Sequence, residues 1–193
     1  MASQQQTTQF NSEKLAELIV FFASESANDR LFGSTKLNKL LFLADFLSYG
    51  YRGRSITGAT YVHQKRGPTP KPDQFLNVRQ GLIEEGRLEL VQEETYFGQR
   101  KRPVAKSYPD LGLFDKVELD IAYEAIESLK HMGNVDSENW SHKFVGWQYT
   151  SEGDVIPYQS VYLWQKVPTT ADDLRWAGEV ARHIGVGTPV YAG

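Results

Sequence analysis

The sequence points to an α+β fold, a compact and mainly α-helical domain with a small β-hairpin or wing-like sheet. Apolar residues recur at spacings of three and four through several separate segments, which marks amphipathic helices. Glycines and prolines between Gly50 and Pro72 divide that stretch into turns around a short β-branched and aromatic run. A helix opening at Pro72 is then followed by two extended arms, the order seen in winged helices.

Asn11 or Ser12 caps the first helix, whose Leu15, Leu18, Ile19 and Phe22 share a face. Gly33 marks the break after it. Ser34 or Thr35 caps a second helix with a buried stripe of Leu37, Leu40, Leu41 and Ala44, leaving Lys36, Lys39 and Asp45 elsewhere on its surface. Gly50, Gly53 and Gly58 read as turns, Ala59 to Lys65 reads as a short strand, and Pro68, Pro70 and Pro72 stop it. Pro72 suits the first position of a third helix, which continues through Phe75, Val78 or Arg79, Leu82 and Ile83 to Gly86. Arg87 to Glu94 and Val104 to Tyr108 read as hairpin arms joined by a polar loop around Gly98 to Arg102.

Asp115 with Glu118 forms a capping box for a fourth helix, with Leu119, Ala122, Ile126 and Leu129 on one side and Gly133 at its end. Ser137 caps a fifth, in which Trp140, Phe144 and Trp147 lie within about one face. Val155 to Trp164 reads as a strand or hairpin. Thr170 caps a last helix carrying Leu174, Ala177, Val180, Ala181 and Ile184 in register, ending at Gly185. With no internal repeat, the 193 residues divide into a flexible tail (1–10), one domain (11–165) and a helical C-terminal extension with its tail (166–193).

The charge balance, 21 basic against 24 acidic residues, gives no global attraction to nucleic acid or anionic membrane. The absence of cysteine excludes disulfides, thiolate catalysis and thiolate metal sites, and fits a reducing cytoplasm. The apolar runs at Leu18 to Ala23 and Leu40 to Ala44 stop far short of the roughly 20 residues a membrane helix needs. Met1 to Gln9 lacks the basic start and apolar middle of a secretory signal, so a cytoplasmic location is expected.

No motif for enzymatic chemistry emerges. His63, His131, His142 and His183 do not match zinc-ligand spacings, and there is no GxSxG elbow, Walker A loop or dinucleotide fingerprint. Ser141 and His142 are chain neighbours and cannot face each other as a nucleophile and base. No cofactor or metal is expected, and an enzyme is not.

Arg100, Lys101 and Arg102, with Lys106 nearby, form the one basic patch for a DNA-contacting wing. Glu84, Glu85, Glu89, Glu93 and Glu94 precede it, and the helix from Pro72 to Glu85 sets three acids against Arg79 alone. A winged-helix regulator is therefore the alternative reading, and nucleic acid is not the expected partner. Tyr49, Tyr51, Tyr96, Phe97, Trp164 and Trp176 are either core residues or protein-contact aromatics. His142 sits about 200° round its helix from Trp140, facing solvent, a partner, or a second element that it orients.

The segment Lys36-Leu37-Asn38-Lys39-Leu40-Leu41-Phe42-Leu43-Ala44-Asp45, then Ile56-Thr57-Gly58 and the turn Arg66-Gly67-Pro68, resembles the opening of the Panacea domain of SocA-like antitoxins. Ser141-His142, Trp147 and the stretch from Gly153 through Ile156 to Tyr158 resemble its close, and the likeness covers about Leu15 to Tyr158. Arginine at position 66 replaces the tyrosine usual before that Gly-Pro. This family is also described as phage-associated and GepA-like.

The resemblance implies an antitoxin that neutralises a protein toxin, encoded by the adjacent gene, through direct binding. In some relatives it implies an adaptor that delivers the toxin to an AAA+ protease. It implies structural roles for Lys36, Leu40, Leu41, Asp45, Gly67, Pro68, Ser141, Trp147, Ile156 and Tyr158. Partner contact falls to Tyr49, Tyr51, Arg66, Tyr96, Phe97 and His142, with self-association left open.

Overall fold

The computed structural model describes residues 9–95 and 98–164. Its first helix, α1 (Ser12–Glu25), is capped by Asn11, whose side chain accepts the Lys14 N–H at 2.9 Å. Glu17 is buried on this helix and receives Arg87 at 2.7 and 2.8 Å and the Asp110 N–H at 2.7 Å. A buried carboxylate persists only with such partners.

The second helix, α2 (Ser34–Arg52), runs past Gly50 and stops at Gly53, which is left-handed at φ 70° and donates to the Tyr49 carbonyl. Gly50 is therefore a helical residue, not a turn. This helix is apolar on opposite faces. Leu37, Leu40, Leu41 and Ala44 enter a core shared with α1, while Phe42 and Phe46 enter a second one with Tyr61, Phe144 and Ile156. A helix walled on all sides has no solvent face, so Lys36, Lys39 and Asp45 are buried rather than on the surface.

Two short strands follow, β1 (Tyr61–Val62) and β2 (Thr69–Pro70), paired antiparallel with Tyr61 opposite Pro70. The expected strand from Ala59 to Lys65 thus contracts to two residues. The third helix, α3 (Pro72–Glu84), starts on its proline as expected. The hairpin of β3 (Leu88–Thr95) and β4 (Gly98–Ala105) pairs from Leu88 with Ala105 to Thr95 with Gly98. Gly98 to Arg102 is therefore strand, not loop. The cross-strand pair of Glu93 with Arg100, 2.5 Å apart, favours that longer ladder.

After a 3₁₀ turn at Leu111–Leu113 comes α4 (Lys116–Leu129), opened by the capping box of Asp115 and Glu118. Its buried stripe is Ile121, Ala122, Ala125 and Leu129, with Leu119 and Ile126 only half-buried beside it. The expected fifth helix is two pieces, α5 (Asn134–Ser141) and α6 (Val145–Gln148), with Gly133 rather than Ser137 at the cap. Phe144 breaks it with extended backbone, ψ 122°, and its ring packs 5.1 Å from Phe42 and 5.3 Å from Phe46. Burial of that ring outweighs helix continuity.

Val155 to Trp164 forms no hairpin. Val155 makes a single bridge to Val62, and Tyr158–Leu163 is a 3₁₀ turn entered from Pro157. The predicted last helix and Trp176, like Tyr96 and Phe97, lie outside the described residues. No helix among the described residues is long and apolar enough to cross a membrane.

Candidate functional site

α2 passes between two buried polar clusters, and the residues quoted for the resemblance meet there. In the first cluster Asp45, fully buried, accepts the Thr57 N–H at 2.7 Å, the Thr57 hydroxyl at 2.5 Å and the Tyr61 hydroxyl at 2.8 Å. Burial raises the Asp45 carboxyl above its ordinary value, and the Thr57, Tyr61 and Ile56 donors oppose that rise. The Thr57 hydroxyl in turn accepts the Ala59 N–H, while Gly58, at φ 68°, donates its N–H to Ser55. Tyr158 closes the cluster by donating to the Ala59 carbonyl at 2.6 Å, and Ile156 donates its N–H to the Tyr61 carbonyl.

The second cluster joins α2 to the turn between β1 and β2 and to α5. Lys36 lies outside it, pairing with Asp29 at 2.6 Å and donating to the Lys130 carbonyl, which ties α2 to the segments after α1 and α4. Lys39, equally buried, donates to the Pro68 carbonyl at 3.1 Å. Gly67 fits against it at φ 96°, where an added Cβ would lie 2.2 Å from Ser141 Oγ and 2.7 Å from Lys39 Nζ. Ser141 Oγ itself donates to the Glu138 carbonyl, and its burial leaves it no open face for chemistry.

Trp147 lies between two imidazoles, stacked at 4.3 Å on His63 and at 4.0 Å on His142. Its indole N–H donates to the Gln64 carbonyl at 3.1 Å. His142 thus faces a second element, its ring laid on Trp147, and its Nε2 is buried without a partner among the described residues. Burial and the Lys39 charge lower its pKa, with Glu138 and the Lys65 backbone opposing them and His63 lowering it further.

Burial also pushes Lys39 down to about 7, against the pull of Glu138. The ordinary lysine value is 10.5, so between about 7 and 10.5 the unfolded chain holds a proton that the folded chain lacks. Stability therefore rises with pH across that window. Urea midpoints at pH 7 and 9 are expected to show the rise in the unaltered chain, with a slope of up to about 1.4 kcal/mol per pH unit from this group. Lys39→Met should lose that part of the slope, and equal slopes in the two proteins would contradict the assignment.

The remaining expected contact residues are dispersed. Tyr49 stacks on Tyr158 at 5.2 Å, and its carbonyl accepts the Tyr162 hydroxyl. Tyr51 is exposed and donates to Glu124 at 3.0 Å. Arg66 projects from the turn with its side chain 74% exposed, 3.9 Å from Glu138. Trp164 packs on Phe144 and Trp140. A wide groove of about 900 Å³ runs past Trp140, Tyr149, Leu163 and Trp164.

Two cations of the patch behind the alternative, DNA-contacting reading are engaged inside the fold. Arg100 pairs with Glu93 and donates to the Arg30 carbonyl, and Arg102 donates to the carbonyls of Ser26, Ala27, Asp29 and Phe32. These guanidiniums satisfy free carbonyls beyond the end of α1, which anchors the hairpin to the helices. Lys101 stays exposed. Among the described residues no three His, Asp or Glu side chains gather as metal ligands.

The architecture is a mainly helical α+β domain whose central helix carries buried polar side chains, Asp45 tied to Thr57 and Tyr61 and Lys39 tied to a Gly-Pro turn that packs against Ser141. The family model for the SocA-like antitoxin, Panacea domain, matches residues 37–148, more than half of the chain, and the chain belongs to that family. The match is narrower than the likeness expected from Leu15 to Tyr158, leaving α1, Ile156 and Tyr158 outside it. No curated protein and no solved structure matches the chain.

Burial of Lys39 and the tie from Asp45 to Thr57 were missed in the sequence, although Phe42 and Phe46 on the face opposite Leu37 and Leu41 were a visible signal that α2 is surrounded.

Proposed function

We propose that this protein is a cytoplasmic antitoxin that neutralises a protein toxin by binding it directly. Membership of the SocA-like antitoxin family over residues 37–148 carries the reading. The geometry is consistent with a binding role. Lys39, Gly67, Ser141 and Trp147 are held by internal contacts, and what they hold in place is the exposed turn bearing Lys65 and Arg66. The groove past Trp140, Tyr149 and Trp164 adds aromatic area of the kind that dominates protein contacts. A specific interface buries about 1,200 to 2,000 Å² in total, which the turn and groove would share with other surfaces.

Coexpression with the adjacent reading frame tests the proposal. Relief of the growth arrest caused by that product, together with copurification of the two chains, is the expected result. Failure of both removes the reading. A toxin level that falls only when an AAA+ protease is present would assign the adaptor form, and an undiminished toxin level would assign sequestration.

A further inference from the structure

We propose that the cleft between the first turns of α2 and the turn from Gln64 to Thr69 receives acidic side chains of a bound polypeptide. That this polypeptide is a toxin rests on the antitoxin reading above; the chemistry of the cleft does not. The cleft holds about 250 Å³ and is bordered by Asn38, Lys39, Gln64, Lys65, Arg66 and Thr69. Sites for drug-sized molecules span roughly 300 to 1,000 Å³, so this one suits one or two side chains.

Every ionisable residue on its wall is basic, and Lys65 and Arg66 supply its positive charge, in a chain of formal net charge −3. A concave surface of one sign concentrates its field on what enters. Lys65 is exposed and makes no ion pair among the described residues, while Arg66 has only Glu138 at the outer limit of pairing, 3.9 Å. Lys39 lies behind them, its Nζ donating to the Pro68 carbonyl. Asn38 Oδ1 is buried without a partner among the described residues, so no bond fixes its amide against reorienting toward a guest. The guanidinium of Arg66 matches a carboxylate in two-point geometry.

A nucleic-acid backbone carries the same sign of charge but fits less well. Duplex DNA presents about one charge per 1.7 Å of axis. A track of that density would meet Glu138 at Arg66 and the exposed Asp73 beside Pro72, which borders the cleft. Isolated carboxylates on a polypeptide can avoid both.

The test is an amide-resolved NMR titration with acetyl-hexaglutamate amide, repeated with acetyl-hexalysine amide and with a duplex 12-mer DNA. Saturating shifts confined to Asn38, Gln64, Lys65, Arg66 and Thr69, seen with hexaglutamate alone and weakened at least tenfold by Arg66→Glu, are expected. Shifts scattered over the surface, no shifts, or a response to DNA without one to hexaglutamate would overturn the proposal. A second arm measures the affinity of the adjacent frame's product. There Arg66→Glu should weaken binding at least tenfold, and Lys116→Glu, an exposed lysine on α4, less than twofold. Binding that ignores Arg66→Glu contradicts the cleft while leaving the antitoxin reading intact. Absence of binding by the unaltered chain contradicts the antitoxin reading, and the hexaglutamate titration then decides the cleft by itself.

Discussion

Asp45→Ala is expected to destabilise the domain by about 3 to 5 kcal/mol, since each orphaned buried donor costs about 1 to 3 kcal/mol. The substitution removes the acceptor of the Thr57 N–H, the Thr57 hydroxyl and the Tyr61 hydroxyl together, in a cluster with no solvent to replace it. Against a total stability of about 5 to 15 kcal/mol, that is a large share. Asp45→Asn keeps the shape and one acceptor oxygen, so its loss should be smaller. Urea denaturation of the three proteins checks this, with midpoints that fall in the order unaltered, Asn, Ala. A loss below 1 kcal/mol for Asp45→Ala would show that the cluster contributes little to holding residues 55–61 on α2.

Gly67→Ala should cost a similar amount through a different cause. The new methyl meets Ser141 Oγ and Lys39 Nζ well inside van der Waals contact, and φ at 96° adds backbone strain. Neither neighbour gives way easily, because Ser141 is tied to Glu138 and Lys39 to Pro68 in a buried setting. Gly53→Ala supplies the comparison. It has φ 70° but nothing within 4 Å, so it isolates the strain, about 1 to 2 kcal/mol. Gly67→Ala should lose about 2 kcal/mol more than that. Ser141→Ala in the Gly67→Ala background should recover part of the loss, a coupling of about 1 kcal/mol in a double-mutant cycle. Equal losses for the two glycine variants would mean that the turn does not rest on α5.

What the sequence made legible was set by short-range physics. The Asn11 cap, the Asp115 and Glu118 capping box, the proline start of α3 and the glycine stop of α2 depend on neighbours within one turn, and each lies where the pattern put it or within a few residues. Errors arose where a distant contact decided. Phe144 leaves the helix to fill a core with Phe42 and Phe46, which helical periodicity cannot express. The second strand of the wing starts at Gly98, where Arg100 pairs across to Glu93, and two of the cations weighed as a DNA-contacting patch, Arg100 and Arg102, turn inward to carbonyls some seventy residues away.

Charge misled at Lys36, Lys39 and Asp45 for a related reason. A lysine or aspartate on an amphipathic helix is solvated in most settings, and only their partners Asp29, Pro68 and Thr57, each in a separate segment, make burial tolerable. The candidate site was legible as a set of residue types in a fixed order. Its meeting of Lys39, Gly67, Ser141 and a tryptophan held between two histidines was not, because those contacts join segments far apart in the chain.

Native mass spectrometry of the purified chain mixed with the product of the adjacent reading frame separates neutralisation by binding from chemical modification of the toxin. One species at the summed mass of an intact complex is expected, from which both chains return on dissociation with their masses unchanged. Two separate species at micromolar concentration, or a toxin whose mass has been altered by the encounter, would contradict neutralisation by binding.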